Sequence, residues 1–408
     1  MKLSTSKLYA SDLIVGVLFI LTPLWSVPIT IFQLFKTKRA YYTFLISAFF
    51  GLTASLLAPT GDLYRLYITY FDFQNTNLEG LISFISLKPD SLFYVLLFIF
   101  AKIGLSIRIL IFGVVFGYFQ LSFRLLQSQN PSLRISVILL FIMQFDFLLH
   151  GLFLRFPLSM LIVIYAFVRK IEGKSWVLFW LVIASMVHFA ALITIPLYFM
   201  TRIREHKLQK YLIYSLFIMP FGSYIFIFLT THFLELFPDI PLKLKIESYF
   251  LGYWALEFFE ERTWKALMQF YFERVLYIVV LLYFILTKNK SKFRHQAIPF
   301  LILINVFFSF PNLFSRYSVL AIFFGLLTIF TEHRKTSISK FLKVSLILII
   351  PLVFSIRLIA QQKNIRAGYI PEIMYRNSIS LILKEYDRQW IEKNIDKETA
   401  RPKNIQSL

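Results

Sequence analysis

Apolar residues along this chain come in runs of roughly twenty, parted by short polar breaks. That spacing predicts helices long enough to cross a bilayer. Candidate spans are 13–35, 40–58, 91–107, 109–124, 134–149, 151–168, 176–200, 211–230, 268–287, 296–311, 313–331 and 341–360. Several are short, and Lys102, Arg316 and Arg357 put charge within three of them, so about 10–12 transmembrane helices are expected. The fold class is therefore all-α, a polytopic integral membrane protein. The first run follows Lys2 and Lys7 without a clean small-residue cleavage site and reads as a retained helix rather than a removed signal peptide. Residues 1–360 form the expected transmembrane domain. Residues 361–408 form a polar tail in which 372–394 is expected as an interfacial amphipathic helix.

Composition agrees. Of 408 residues 58% are hydrophobic and 16% charged, against about half and about a quarter in soluble domains. Soluble enzymes, disordered chains, collagen-like fibres and disulfide scaffolds are excluded, and a barrel would alternate apolar with polar positions. With no cysteine there is no disulfide, thiolate metal site or cysteine nucleophile.

Two stretches between spans are long and acid-rich. Residues 59–90 hold Asp62, Asp72, Glu79 and Asp90 against Arg65 and Lys88. Residues 231–267 hold Glu235, Asp239, Glu247, Glu257, Glu260 and Glu261 against Lys243, Lys245, Arg262 and Lys265. The connections 36–39, 202–210, 288–294 and 333–335 are basic. The basic ones should be cytoplasmic and the two acid-rich loops external. The connection Arg169-Lys170-Ile171-Glu172-Gly173-Lys174 is basic too, yet a strict count of twelve spans places it outside. Either a segment between 91 and 168 is re-entrant, or this loop breaks the rule. The net charge of +21 sits in such short connections. It reads as positive-inside bias, attraction to anionic lipid heads, or cations gathered for a pyrophosphate-linked lipid, not as a nucleic-acid surface.

No phosphate loop, nucleophile elbow or zinc-helix motif is present, and the six histidines lack ligand spacing, so no metal site is expected. Ionisable residues inside apolar runs are the better guide, because they are costly there. His188 lies mid-run in Val187-His188-Phe189-Ala190. It either hydrogen-bonds a neighbouring helix as a neutral ring or faces a substrate cavity, and burial would favour the neutral form. Arg155 lies in Leu154-Arg155-Phe156-Pro157, where the proline suggests a helix start. A guanidinium beside free backbone N–H groups is a phosphate receptor; the alternative is an arginine snorkelling to lipid heads. Arg316 sits in Pro311-Asn312-Leu313-Phe314-Ser315-Arg316-Tyr317, a break on the same face as the acid-rich loops. Asn312 and Tyr317 are grouped with it as substrate contacts. Asp62 and Arg65, three apart, pair on a helix; beside them Tyr67 and Tyr70 offer stacking faces for a sugar. Arg262 and Arg274 are weaker candidates, Arg274 being expected to pair with adjacent Glu273.

The order of these features resembles the EpsG-like, Wzy-type family of bacterial polysaccharide polymerases over about residues 40–330. The features are the early Asp- and Tyr-rich loop, Pro89-Asp90-Ser91-Leu92-Phe93-Tyr94 opening a helix, Arg155 opening another, His188 after about 33 residues, and the Ser315-Arg316-Tyr317 turn. Relatives often carry Glu-Pro-x-Phe where this chain has Pro89-Asp90, and Arg-Gln-Gly where it has Arg155-Phe156-Pro157. The resemblance implies a GT-C-like helical bundle in the bacterial cytoplasmic (inner) membrane. It also implies a cofactor-free, metal-independent glycosyltransferase joining oligosaccharide units carried on undecaprenyl pyrophosphate at the external, periplasmic face. The product is O-antigen, capsule or exopolysaccharide, and the partners are a chain-length regulator and a flippase. On this reading Arg155, His188 and Asp62 are catalytic, and Arg316, Arg65, Tyr67, Tyr317 and Asn312 bind substrate. A lipid-linked oligosaccharide flippase, an O-antigen ligase and a membrane acyltransferase are the alternatives.

Overall fold

The computed structural model describes residues 9–37, 39–86, 88, 90–129, 135–233, 243, 247, 264–287, 291–331 and 336–403. Among them the chain is helical, with one isolated bridge between Ile395 and Pro402. This is the all-α, multi-pass membrane architecture that the apolar runs require. In order the helices are α1 (Ala10–Leu21), α2 (Pro23–Thr37), α3 (Ala40–Ser55), α4 (Asp62–Asn75), α5 (Leu78–Ser86), α6 (Ser91–Lys102) and α7 (Ile107–Gln129). Next come α8 (Ile135–Gln144), α9 (Phe147–Leu152), α10 (Arg155–Ile171), α11 (Val177–Val187), a 3-10 segment (Phe189–Ile193), α12 (Thr194–Met200), α13 (Glu205–Ile218) and α14 (Gly222–Phe233). Then follow α15 (Trp264–Leu286), α16 (Arg294–Val306), α17 (Pro311–Thr331) and α18 (Ser337–Ala360). The tail holds α19 (Gln362–Ala367), a 3-10 segment (Ile370–Met374), α20 (Ser378–Ile382) and α21 (Arg388–Asn394). Four helices, α7, α15, α17 and α18, are long and apolar enough to span a membrane on their own.

Two runs expected as single spans are each two antiparallel pieces. A straight helix over 10–37 would hold its ends about 40 Å apart at ~1.5 Å per residue. Instead Arg39, just past α2, pairs with buried Asp12 in the first turn of α1, and the Tyr42 hydroxyl donates to the other oxygen of that carboxylate. The reversal falls at Thr22-Pro23, where proline removes a backbone donor. The run 176–200 reverses at His188, whose backbone is extended (φ −151°, ψ 121°). Lys170 at the start of the connection into α11 donates to the carbonyl of Tyr198 near the end of α12, so both pieces return to one level.

That reversal and a second segment that does not cross resolve the count. The connections at 169–174 and 201–205 and residues 287 and 291–294 lie at one end of the bundle, as contacts across it and the Lys170 bond to Tyr198 show. Thr201 O meets His295 Nε2, Arg294 pairs with Glu205 and donates to Phe284 O, and Ser291 meets Thr331. The basic loop at 169–174 obeys the charge rule because the expected span 91–107 does not cross. Helix α6 stays at the opposite end, where Lys102 donates to Gln74 O, and α7 sets out from there with Arg108 on Ser55 O at the end of α3. The reversal at His188 then returns 201–205 to the same end as 169–174.

At the opposite end the expected loop 59–90 is mostly helix. With α6, which replaces the expected span 91–107, α4 and α5 form a layer in which Lys102 Nζ donates to Gln74 O. The second expected loop, 231–267, lies largely outside the described residues. The tail folds over the same end. Its helix expected at 372–394 is instead short pieces, because the backbone there is bound to the bundle. Tyr369 N and the Tyr386 hydroxyl both donate to Leu56 O at the end of α3, and Ser378 Oγ donates to Phe19 O. Arg108 donates to Leu381 O, and Gly61 N to Ala400 O. Gly368 fits here because a side chain would collide with Leu56 O and Ala58 N, each 2.5 Å from a Cβ at that position. Burial holds the Tyr386 hydroxyl well above its ordinary pKa, so it stays a donor.

A buried ion cluster ties three helices near this end. Arg357 of α18 bonds Glu273 of α15 (Nε–Oε1 3.0 Å), lies 3.7 Å from Asp146 Oδ2, and donates to Gln144 O of α8. All three charged side chains are under a tenth exposed. Glu273 thus pairs across the bundle rather than with Arg274. Arg274 instead donates to Phe308 O (2.7 Å) and sits over the rings of Phe270 and Phe314.

Candidate functional site

The first turns of α4, α6, α10 and α17 and the break after α11 meet at the end covered by the tail. Asp90, preceding α6, is 1% exposed and lies at the centre of the group. Its Oδ2 accepts from Arg155 Nη1 at 3.0 Å, and its Oδ1 accepts from Phe189 N at 3.0 Å and lies 3.3 Å from His188 Nδ1. A carboxylate on the first N–H of a helical segment supplies an acceptor that the broken backbone lacks. Asp90 therefore both stabilises the reversal at His188 and fixes Arg155.

Arg155 is held on one side and open on the other. Nη1 also donates to the Tyr94 hydroxyl at 3.1 Å, while Nη2 lies 3.8 Å from Asp62 Oδ2. Asp90 and Tyr94, four apart, share one helical face. The Arg155 and Asp62 side chains are 24% and 32% exposed, against 8% for His188. Arg316 approaches from α17 with its guanidinium carbon 5.5 Å from the centre of the Phe156 ring. The same ring stands edge-on to His188 at 5.7 Å and to Tyr317 at 6.4 Å. Arg316 thus borders the ring of Phe156, the residue next to Arg155 in sequence, beside the turn that carries His188. A half-open guanidinium with a fixed inner partner and a second guanidinium nearby suits an anionic oxygen-rich group.

The other sequence candidates distribute unevenly. Asp62 joins the cluster. Arg65 pairs with Asp62 at 3.8 Å, but its side chain is 79% exposed. Tyr67 is 3% exposed and packs against Tyr386 and Phe71, so the stacking face expected there is covered by the tail. Tyr70 is buried as well. Tyr317, expected to contact substrate, spends its hydroxyl on Ala190 O at 2.7 Å, holding the 3-10 segment against α17. Asn312 lies four residues before Arg316 in the first turn of α17, and its carbonyl accepts from Ser315 Oγ. Arg262 is outside the described residues. Among the described residues no three His, Asp or Glu side chains gather as a metal site would need.

Asp90 and Tyr94 are what the sequence reading left out of the site. The available signal was an acid immediately before an apolar helix, with a tyrosine one turn on.

A model of the EpsG family matches residues 8–374. No curated protein and no solved structure matches the chain.

Proposed function

The chain belongs to the EpsG family, and on that premise we propose that it is a membrane glycosyltransferase of bacterial polysaccharide assembly. It polymerises oligosaccharide units carried on undecaprenyl pyrophosphate at the outer face of the cytoplasmic membrane. The observation that carries this reading is Arg155, anchored by buried Asp90 and Tyr94 while its other nitrogen meets half-open Asp62 at 3.8 Å.

In the reaction the bond between the anomeric carbon and the pyrophosphate oxygen breaks, and an acceptor hydroxyl oxygen takes its place on that carbon. Negative charge grows on the departing diphosphate. Arg155 and Arg316 stabilise it, and fixed guanidinium groups act best where water is sparse. The acceptor proton passes to Asp62, the exposed carboxylate of the group, which also orients the sugar. His188 keeps Asp90 and the turn in place from behind. Arg65, paired with Asp62 and largely exposed, borders the opening. No metal is required, so chelator leaves turnover of the purified protein unchanged. The charge rule supports siting the cluster outside, since the opposite end holds basic connections.

A lipid-linked oligosaccharide flippase is the second reading, favoured by one observation. The segment 177–200 is a discontinuous helix pair, a device that transporters also use. A deletion strain examined by glycan gel separates the two. Single repeat units on lipid at the outer face mean polymerase. Units trapped on the inner face mean flippase and end the proposal.

A further inference from the structure

At the opposite end from the Asp62 cluster, α7, α10 and α11 enclose a groove of about 460 Å³ lined by Gly117, Gln120, Leu121, Arg124, Leu161, Ile162, Tyr165 and Trp180. Its chemistry changes along its length. Gly117 and Arg124 are 10 and 17 residues from the start of α7, about 15 and 25 Å along it at ~1.5 Å per residue. On α10, Leu161 and Arg169 are 6 and 14 residues from the start, about 9 and 21 Å. Both helices start at the Asp62 end. The apolar part of the groove therefore lies toward the middle of the bundle and the cationic part at the basic end.

Of the cations at that mouth Arg124 is the loosely engaged one. Arg124 is 55% exposed and only 3.9 Å from Glu172, whose other oxygen is held by Lys174. Arg169 is held in place, donating from Nε and Nη2 to Ser175 O at 3.2 and 3.0 Å and from Nη1 to the Tyr165 hydroxyl at 3.2 Å. Tyr165 and Trp180 stand edge to face at 5.2 Å, the amphipathic ring pair suited to the head-group level. Within the groove the amide nitrogen of Gln120 is buried with no hydrogen-bond partner among the described residues. A buried donor left in this way calls for an acceptor. Gly117 lets α10 come close, since a Cβ there would stand 2.9 Å from the Leu161 Cδ2 atom.

We propose that this groove binds one anionic diacyl phospholipid of the leaflet at the basic end. Its phosphate sits at Arg124, with the fixed charge of Arg169 beyond Tyr165 adding to the field, an ester oxygen accepts from Gln120, and an acyl chain runs over Leu121, Leu161 and Ile162 toward Gly117. Apolar walls alone would accept any lipid; the order of cations, rings and aliphatic surface selects the polarity and the charge. The site is remote from the Asp62 cluster, and the inference stands whatever reaction that cluster performs.

The test is native mass spectrometry of the purified full chain in mild detergent, titrated with dioleoyl phosphatidylglycerol or dioleoyl phosphatidylcholine. The wild type should retain one phosphatidylglycerol preferentially, and Arg124→Ala should weaken that retention about fivefold, the contribution of one cation near an anionic lipid surface. Gly117→Leu fills the groove and should remove the retained lipid; if it does not fold, Arg124→Ala at its exposed position still decides. Equal retention of the two lipids by the wild type, or unchanged retention by Arg124→Ala, overturns the proposal. Displacement of the phosphatidylglycerol by stoichiometric undecaprenyl pyrophosphate overturns it too, by assigning the groove to the carrier.

Discussion

Arg155 and Arg357 are both arginines that the hydropathy pattern places at or inside apolar runs, and each meets two carboxylates. They differ in closure. Arg357, Glu273 and Asp146 are under a tenth exposed, and the guanidinium also donates to Gln144 O, so the set is complete without a guest. Arg155 has one buried partner, Asp90, and one half-open partner, Asp62, at 3.8 Å. A closed ion cluster joins helices; an open one has a bond to give. The cost of burying charge is met in the first by mutual pairing, and in the second by solvent until a ligand replaces it. The presence of arginine in a membrane segment is therefore less informative than the accessibility of its partners.

The comparison is broken most forcefully at Arg357. Arg357→Ala leaves Glu273 and Asp146 buried without their cation, and should cost about 3–5 kcal/mol, read as loss of monodisperse protein on size-exclusion chromatography. Replacing Arg357, Glu273 and Asp146 together by apolar residues of like size should restore much of that protein, as removal of a whole buried cluster does. If Arg357→Ala behaves as wild type, the cluster does not join the helices. Next comes Arg155→Lys, which keeps the charge and loses the fork. Protein should be present at wild-type level while polymer formation falls about 10²–10³-fold, the usual effect of losing a preorganised donor at the reacting centre. Normal chain lengths in this variant would place Arg155 with Arg357 as a structural residue. Asp90→Asn retains an acceptor for Phe189 N but not the charge opposite Arg155. Glycan turnover should drop about tenfold, roughly the value of one charge-assisted hydrogen bond over a neutral one. Tyr67→Phe is the smallest effect. That hydroxyl is buried without a partner among the described residues, so its removal should shift stability by less than about 1 kcal/mol, read as thermal midpoint. A large loss of polymer in Tyr67→Phe would return this tyrosine to the site.

How much of this was legible depends on where the cause lies. The helices α7, α15, α17 and α18 follow from length and hydropathy alone. The reversal between α1 and α2 has a local cause, Pro23, that a reading by hydropathy passes over. The reversal at His188 has no local cause of that kind: Val187-His188-Phe189-Ala190-Ala191 reads as continuous helix. It exists because Asp90 accepts from Phe189 N and Tyr317 donates to Ala190 O, partners 99 and 127 positions away. The site shows the same division. Arg155, His188 and Arg316 stand out as charges or polar groups in apolar surroundings, and Asp62 by its partner Arg65 three residues on. Asp90 does not, because it sits among other acids in a polar stretch, and only the folded backbone makes it the centre. The covering of Tyr67 likewise depends on Tyr386, supplied from the far end of the chain.

The way the tail seals that end has a bearing on how the protein is made. Tyr386 reaches Leu56 across 330 positions and Ser378 reaches Phe19 across 359. The turn at Gly61, one residue before Asp62, donates its N–H to Ala400 O. A ribosome releasing the chain into the bilayer thus delivers nearly every helix before the pieces that lock the earliest ones together have been translated. The pocket is therefore finished only once residue 400 has left the ribosome, and a nascent protein paused after α18 has its helices but not its finished mouth.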